Sequence, residues 1–120
     1  VNSRVHQPMG LLHGGASVAL AESVGSAASM LYVNPEKQEV RGIEISANHL
    51  RSKREGIIFG TARIVHKGRS ILLWEIKIVD EEANIVPSMT PAKMKQQFLK
   101  TLKTKKTSRD LLNKFVERVA

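Results

Sequence analysis

Cysteine is absent from this 120-residue chain, which removes disulfide frameworks, thiolate nucleophiles and thiolate metal sites together. No apolar run is long enough to span a bilayer, and the opening residues do not pattern as a signal peptide. A cytoplasmic location is therefore the expectation, with no membrane partner. His6, His49 and His66 fall at turns or strand ends, too scattered for a metal-ligand spacing, so no metal is expected. No internal repeat is present. The chain opens on Val1 without an initiator methionine, which suggests a fragment, a processed product or an unusual start codon.

The net charge of +8 resembles a nucleic-acid signal until it is divided along the chain. Residues 1–90 hold 10 Lys and Arg against 9 Asp and Glu, whereas residues 91–120 hold 9 against 2. The basic character belongs to the tail. In that tail Met94, Phe98 and Leu102 recur at i, i+4 and i+8, followed by a second stripe of Leu111, Leu112, Phe115, Val116 and Val119. The spacing predicts helices over residues 92–120, with Ser108 as an N-cap between them. Phe98 and Phe115 fall on the apolar stripes, so no tail aromatic is left for base stacking and no nucleic-acid partner is expected. Two regions follow: an α+β body over residues 1–90 and a basic amphipathic tail over residues 91–120.

What the chain does have is one conspicuous stretch, residues 7–31. A Pro-Met-Gly turn leads to His13-Gly14-Gly15, then to a run of small and aliphatic residues that reads as a helix from about Gly14 to about Tyr32. Asn34-Pro35 stops it. Alanine and serine at this density predict burial nearly all round, under a closely packed sheet. One carboxylate, Glu22, sits amid the apolar residues, with Val18 and Ser26 one turn away on the same face.

After the helix the period becomes twofold. Ile43, Ile45 and Ala47 alternate with Glu44, Ser46 and Asn48; residues 57–65 and 71–79 read as two further strands, the last burying Leu72, Trp74, Ile76 and Ile78. Short turns between them predict a three-stranded antiparallel meander packed on the helix. The opening residues 1–5 read as the end of another strand. Pro87 and Pro91 would interrupt a fourth central strand.

Two chemical readings attach to the helix. Gly14 and Gly15 leave backbone N–H groups unpaired at its positive end, where a ligand oxygen can approach closely; this is what an oxyanion hole requires. Gly-Gly also serves plain close packing. Glu22 suits a general base or nucleophile, or else a carboxylate on a wet helix face. Gly14 and Glu22 stand eight residues apart, about 12 Å along one helix. If both act on one carbonyl, two chains must lie antiparallel, each contributing one of the pair.

The blocks QPMGLLHGGASVALAESVGSAAS, GIEISANHLRSKREG and VHKGRSILLWEIKIVDE closely resemble the hotdog-fold acyl-CoA thioesterases, nearest the 1,4-dihydroxy-2-naphthoyl-CoA and 4-hydroxybenzoyl-CoA branch. The resemblance implies a long helix wrapped by an antiparallel sheet and hydrolysis of an acyl-CoA. Glu22 would be the catalytic carboxylate, the Gly14 amide the oxyanion donor, Gln7 and His13 the groups orienting thioester and water, and Ser26 an assistant to Glu22. His49, Arg51, Ser52, His66, Gly68 and Ser70 would line the groove for the CoA nucleotide. CoA enters as part of the substrate, and no other cofactor is implied. A homodimer, further paired into a homotetramer, and a place in menaquinone biosynthesis are implied likewise. Relative to that family the chain looks truncated at its N-terminus and altered after about Glu82, with strands missing at both ends of the sheet. The alternatives are a non-catalytic remnant that keeps the CoA groove, and an interaction protein acting through the tail.

Overall fold

The computed structural model describes residues 1–49, 53–82 and 92–100. A 3-10 turn, Ser3–Val5, leads into a small hairpin of β1 (His6–Gln7) and β2 (Leu11–Leu12), then into α1 (Gly14–Ser29). The start of the chain is thus a turn where a strand end was expected; the Asn2 side chain caps it by accepting the Arg4 amide at 3.0 Å. After α1 the chain tightens into a second 3-10 turn at Met30–Tyr32. Four longer strands follow: β3 (Gln38–Ser46), β4 (Ile58–Lys67), β5 (Ile71–Asp80) and β6 (Ala92–Lys100). They form one antiparallel sheet in the order β3-β6-β5-β4, and α1 packs across it.

That order corrects two expectations. β3 does not continue into a meander with β4; it pairs with β6, and the consecutive run is β4-β5-β6. Residues 92–100, expected as the first turns of the tail helix, are instead a strand inside the sheet. Ala92, Met94 and Gln96 are buried on its inner side, and Phe98 packs against the core. Met94 and Phe98 lie at i and i+4, a spacing common to one face of a helix and one face of a strand. The expected cap at Ser108 and the stripe after it lie outside the described residues, as do Pro87 and Pro91.

Core packing follows the twofold pattern of β5. Leu72, Trp74, Ile76 and Ile78 are buried together with Ala21, Ala92 and Met94. On β3 the alternation fails at one point. A bulge between Gly42 and Glu44 leaves Ile43 51% exposed, while Ile45 and Ala47 pack against the core as expected.

The helix is not buried all round. Ser17, Ala21, Gly25 and Ser29, each one turn apart, form the buried stripe, whereas Ala19 and Glu22 are exposed. A sheet covers one face of a helix, and the small residues mark where it does so. A Cβ at Gly25 would lie 2.8 Å from Met94 Sδ and 3.1 Å from Ile76 Cδ1, so a hydrogen at this position sets how closely α1 approaches β5 and β6.

Candidate active site

The first turn of α1 arranges its amides unequally. His13 is the N-cap, and its Nδ1 accepts the Gly15 N–H at 2.9 Å. The His13 carbonyl accepts from Ala16 at 2.9 Å and from Ser17 at 3.3 Å. Gly15 is therefore not the free donor its sequence position promised. The Gly14 N–H has no acceptor among the described residues, and the helix dipole stands behind it. Because His13 Nδ1 accepts, the neutral imidazole carries its proton on Nε2, which can donate outward.

Loops hold this end of the helix. His13 N–H donates to Val5 O at 2.8 Å, Leu12 N–H to Lys53 O at 2.7 Å, and His6 Nε2 to Arg54 O at 2.6 Å. Gln7 sits half-buried in β1, paired with Leu11. His49 comes from the end of the segment after β3 and lies against Gly14: a Cβ there would stand 2.9 Å from His49 Cε1. A side chain at position 14 would press on that ring where it now stands. Glu81 anchors the same region by accepting from the Lys53 ammonium and the Ile57 amide. The Lys53 hydrogen bond, and then the Ile57 amide, lower the Glu81 pKa to about 2. The same bond raises that of Lys53.

The middle of α1 is organised by the sheet. Glu22 points toward β3, with Oε1 3.4 Å from where a Cβ on Gly42 would stand. Gly42 is the register partner of Gln96 on β6. Gln96, 1% exposed, reaches back to the helix and donates from Nε2 to Ser26 Oγ at 2.8 Å. Its Oε1 meets Ser29 Oγ, which also donates to Gly25 O at 2.8 Å and accepts from Trp74 Nε1 at 2.6 Å. Glu22, Ser26 and Ser29 thus form a polar line at i, i+4 and i+7 that joins the small-residue stripe at Ser29. Gln96, Trp74 and Gly42 were absent from the sequence-derived set. The alternation Ala92-Lys93-Met94-Lys95 was the one signal for β6.

His66, Gly68 and Ser70 gather at the β4–β5 turn. Gly68 N–H donates to Ile71 O at 2.8 Å, and Phe98 N–H to Ser70 O at 2.9 Å. A bulge between Ile64 and His66 pairs His66 with Leu73, off the face that Ile64 shares with Trp74. Lys67 then lies over the Tyr32 ring, 4.9 Å from its centre, which places this turn at the C-terminal end of α1. His49 stands at the other end of a 16-residue helix, about 24 Å long. Within one chain the groups expected to share a groove are therefore at opposite ends. Arg51 and Ser52 lie outside the described residues. No cluster of metal-ligating side chains occurs among the described residues.

The family model described as the thioesterase superfamily matches residues 9–86. A 1,4-dihydroxy-2-naphthoyl-CoA hydrolase of Escherichia coli is 52% identical over 85 residues, which are 71% of this chain and 62% of that enzyme. The enzyme of the same name from Listeria monocytogenes is 46% identical over 86 residues, 72% of this chain and 69% of its own length. A crystal structure of a mutant thioesterase from Pseudomonas aeruginosa superposes with a TM-score of 0.78 at 42% identity, covering 84% of this chain and 70% of that one. The chain thus spans less than two thirds of the E. coli relative.

Proposed function

This chain belongs to the thioesterase superfamily, and from that premise we propose that it hydrolyses acyl-CoA thioesters, foremost an aromatic one such as 1,4-dihydroxy-2-naphthoyl-CoA. The observation that carries the reading is the first turn of α1. Capping consumes the Gly15 amide and leaves Gly14 N–H as a fixed donor at the positive end of the helix. A thioester carbonyl seated there gains charge on oxygen as it is attacked, and that charge meets the amide.

Glu22 supplies the other half. As a base it takes a proton from water as the water oxygen bonds to the acyl carbon; the tetrahedral intermediate then expels CoA thiolate, which takes up a proton. As a nucleophile it forms a transient acyl anhydride that water opens. Either route balances as thioester plus water giving acid plus thiol. Gln7 and His13 orient the carbonyl and the water, and Ser26 assists Glu22. His49, with Arg51 and Ser52, and the His66, Gly68 and Ser70 turn hold the CoA nucleotide. No metal or redox cofactor takes part.

One chain cannot assemble this site, because Gly14 and Glu22 stand about 12 Å apart on one helix. An antiparallel homodimer resolves it, since the partner's helix middle then faces this chain's helix start. In that register His49 of one chain stands beside the partner's helix middle, with the partner's β4–β5 turn about 15 Å further along the helix.

The test is CoA release from a panel of aromatic and aliphatic acyl-CoAs, with Glu22→Ala alongside. The expected outcome is preference for the aromatic members and a fall of roughly 10²- to 10⁴-fold in the variant. Binding of acyl-CoA without turnover by the folded wild-type dimer would make this a CoA-binding module instead.

A further inference from the structure

The buried hydrogen bonds between α1 and the sheet have a direction. An indole N–H only donates, so Trp74 requires Ser29 Oγ to accept. Ser29 has a single proton, directed to Gly25 O or to Gln96 Oε1. The other end of the Gln96 amide, Nε2, only donates, and it donates to Ser26 Oγ. Ser26 has thereby filled an acceptor site and keeps its own proton to give. It sits one turn from Glu22 on the same helix face, and Glu22 Oε1 in turn stands beside Gly42, whose register partner is Gln96 itself.

We propose that Gln96 is a positioning residue: it sets Ser26 as a hydrogen-bond donor toward the Glu22 carboxylate and its water, through a chain that begins at the Trp74 indole. This deepens the hydrolytic reading above and rests on it for its kinetic consequence. Burial gives the chain its authority. Gln96 is 1% exposed and Trp74 3%, so no bulk water competes for these groups, and satisfied buried networks fix orientation more firmly than exposed ones. A serine left to rotate freely would donate part of the time to its own helix carbonyls. Here the amide of Gln96 removes the competing acceptor role and holds the oxygen in place.

The chain predicts that residues far apart in sequence act as one unit. The protein has a single tryptophan, so its indole N–H gives one resonance in an amide correlation spectrum. Ser26→Ala, three hydrogen bonds away, is expected to move that resonance, and Gln96→Met is expected to move it and make a further Ser26→Ala change silent. In CoA-release assays Gln96→Met should lower kcat about tenfold with KM nearly unchanged, as for a lost hydrogen bond to a charged site. The double variant Gln96→Met with Ser26→Ala should be no slower than Ser26→Ala alone.

An indole resonance indifferent to Ser26→Ala in the folded protein overturns the chain. So do kinetic effects of Gln96→Met and Ser26→Ala that simply multiply, as two separate packing defects would. Failure of the hydrolytic reading looks different: the wild-type dimer releases no CoA, and the indole experiment alone then decides whether the chain exists.

Discussion

The two ends of the candidate chemistry lie on one helix but are held by opposite means. At the start of α1 the reactive group is backbone, an amide left over by capping, and its supports are loops: the β1–β2 hairpin, His49 and the Lys53–Glu81 pair. In the middle of α1 the reactive group is a side chain, and the serines that follow it on the helix are held by buried residues of β5 and β6. The difference teaches where tolerance lies. The first site depends on a backbone donor beside a ring that crowds position 14, the second on a buried network of side chains.

Substitution at Gly14 breaks the comparison most sharply. Proline is suited to the first position of a helix, and His13 before it already has the extended conformation that proline demands. Gly14→Pro thus deletes the amide donor while keeping α1, and kcat should fall roughly 10²- to 10³-fold. Gly14→Ala brings the Cβ crowding against His49 but keeps the N–H, so it separates that crowding from the change proline makes at the amide nitrogen.

In the middle of the helix the largest effect should be on stability. Gly25→Val forces side-chain atoms against Met94 and Ile76, an overpacking expected to cost about 1–3 kcal/mol in denaturant unfolding. The variant should lose stability before it loses the Gly14 donor.

The smallest effect concerns acid. Glu81 has a pKa of about 2 in the folded chain against an ordinary 4.5. Its contribution is therefore complete above about pH 4.5 and disappears as pH falls through about 2. Melting temperatures of wild type and Glu81→Gln should differ slightly at pH 6 and converge toward pH 2. The pair is partly open to solvent, so added salt should shrink the difference at pH 6.

Legibility in the sequence followed how local each cause is. The start of α1 was readable because a glycine pair acts locally; its end, expected near Tyr32, comes at Ser29, where the chain tightens into a 3-10 turn before Asn34-Pro35. The inner face of β5 was readable because its alternation is unbroken. β6 was not, since Gln96 puts a polar group at an inward position and Met94 and Phe98 also satisfy a helical spacing. Its place in the sheet is a long-range fact, as is the partnership of Trp74 with Ser29. Glu22 and Gly14 stood out as chemistry in an apolar context, but the uneven use of the two glycine amides needed the His13 ring in place. The bulge that exposes Ile43 left no local mark.

The order β3-β6-β5-β4 also bears on how the chain folds. Gln38 pairs with Lys100, so the two neighbours are separated by most of the described sequence. During synthesis β4 and β5 can zip together as a hairpin soon after they emerge, whereas β3 waits, its edge unpaired, until residue 100 has left the ribosome. Throughout that delay the inner side of β3 and the Glu22 face of α1 have no β6 to close them. The last of the described strands is the one that seals both the sheet and the surroundings of Glu22, so a nascent chain acquires its hydrogen-bonded network only when β6 arrives.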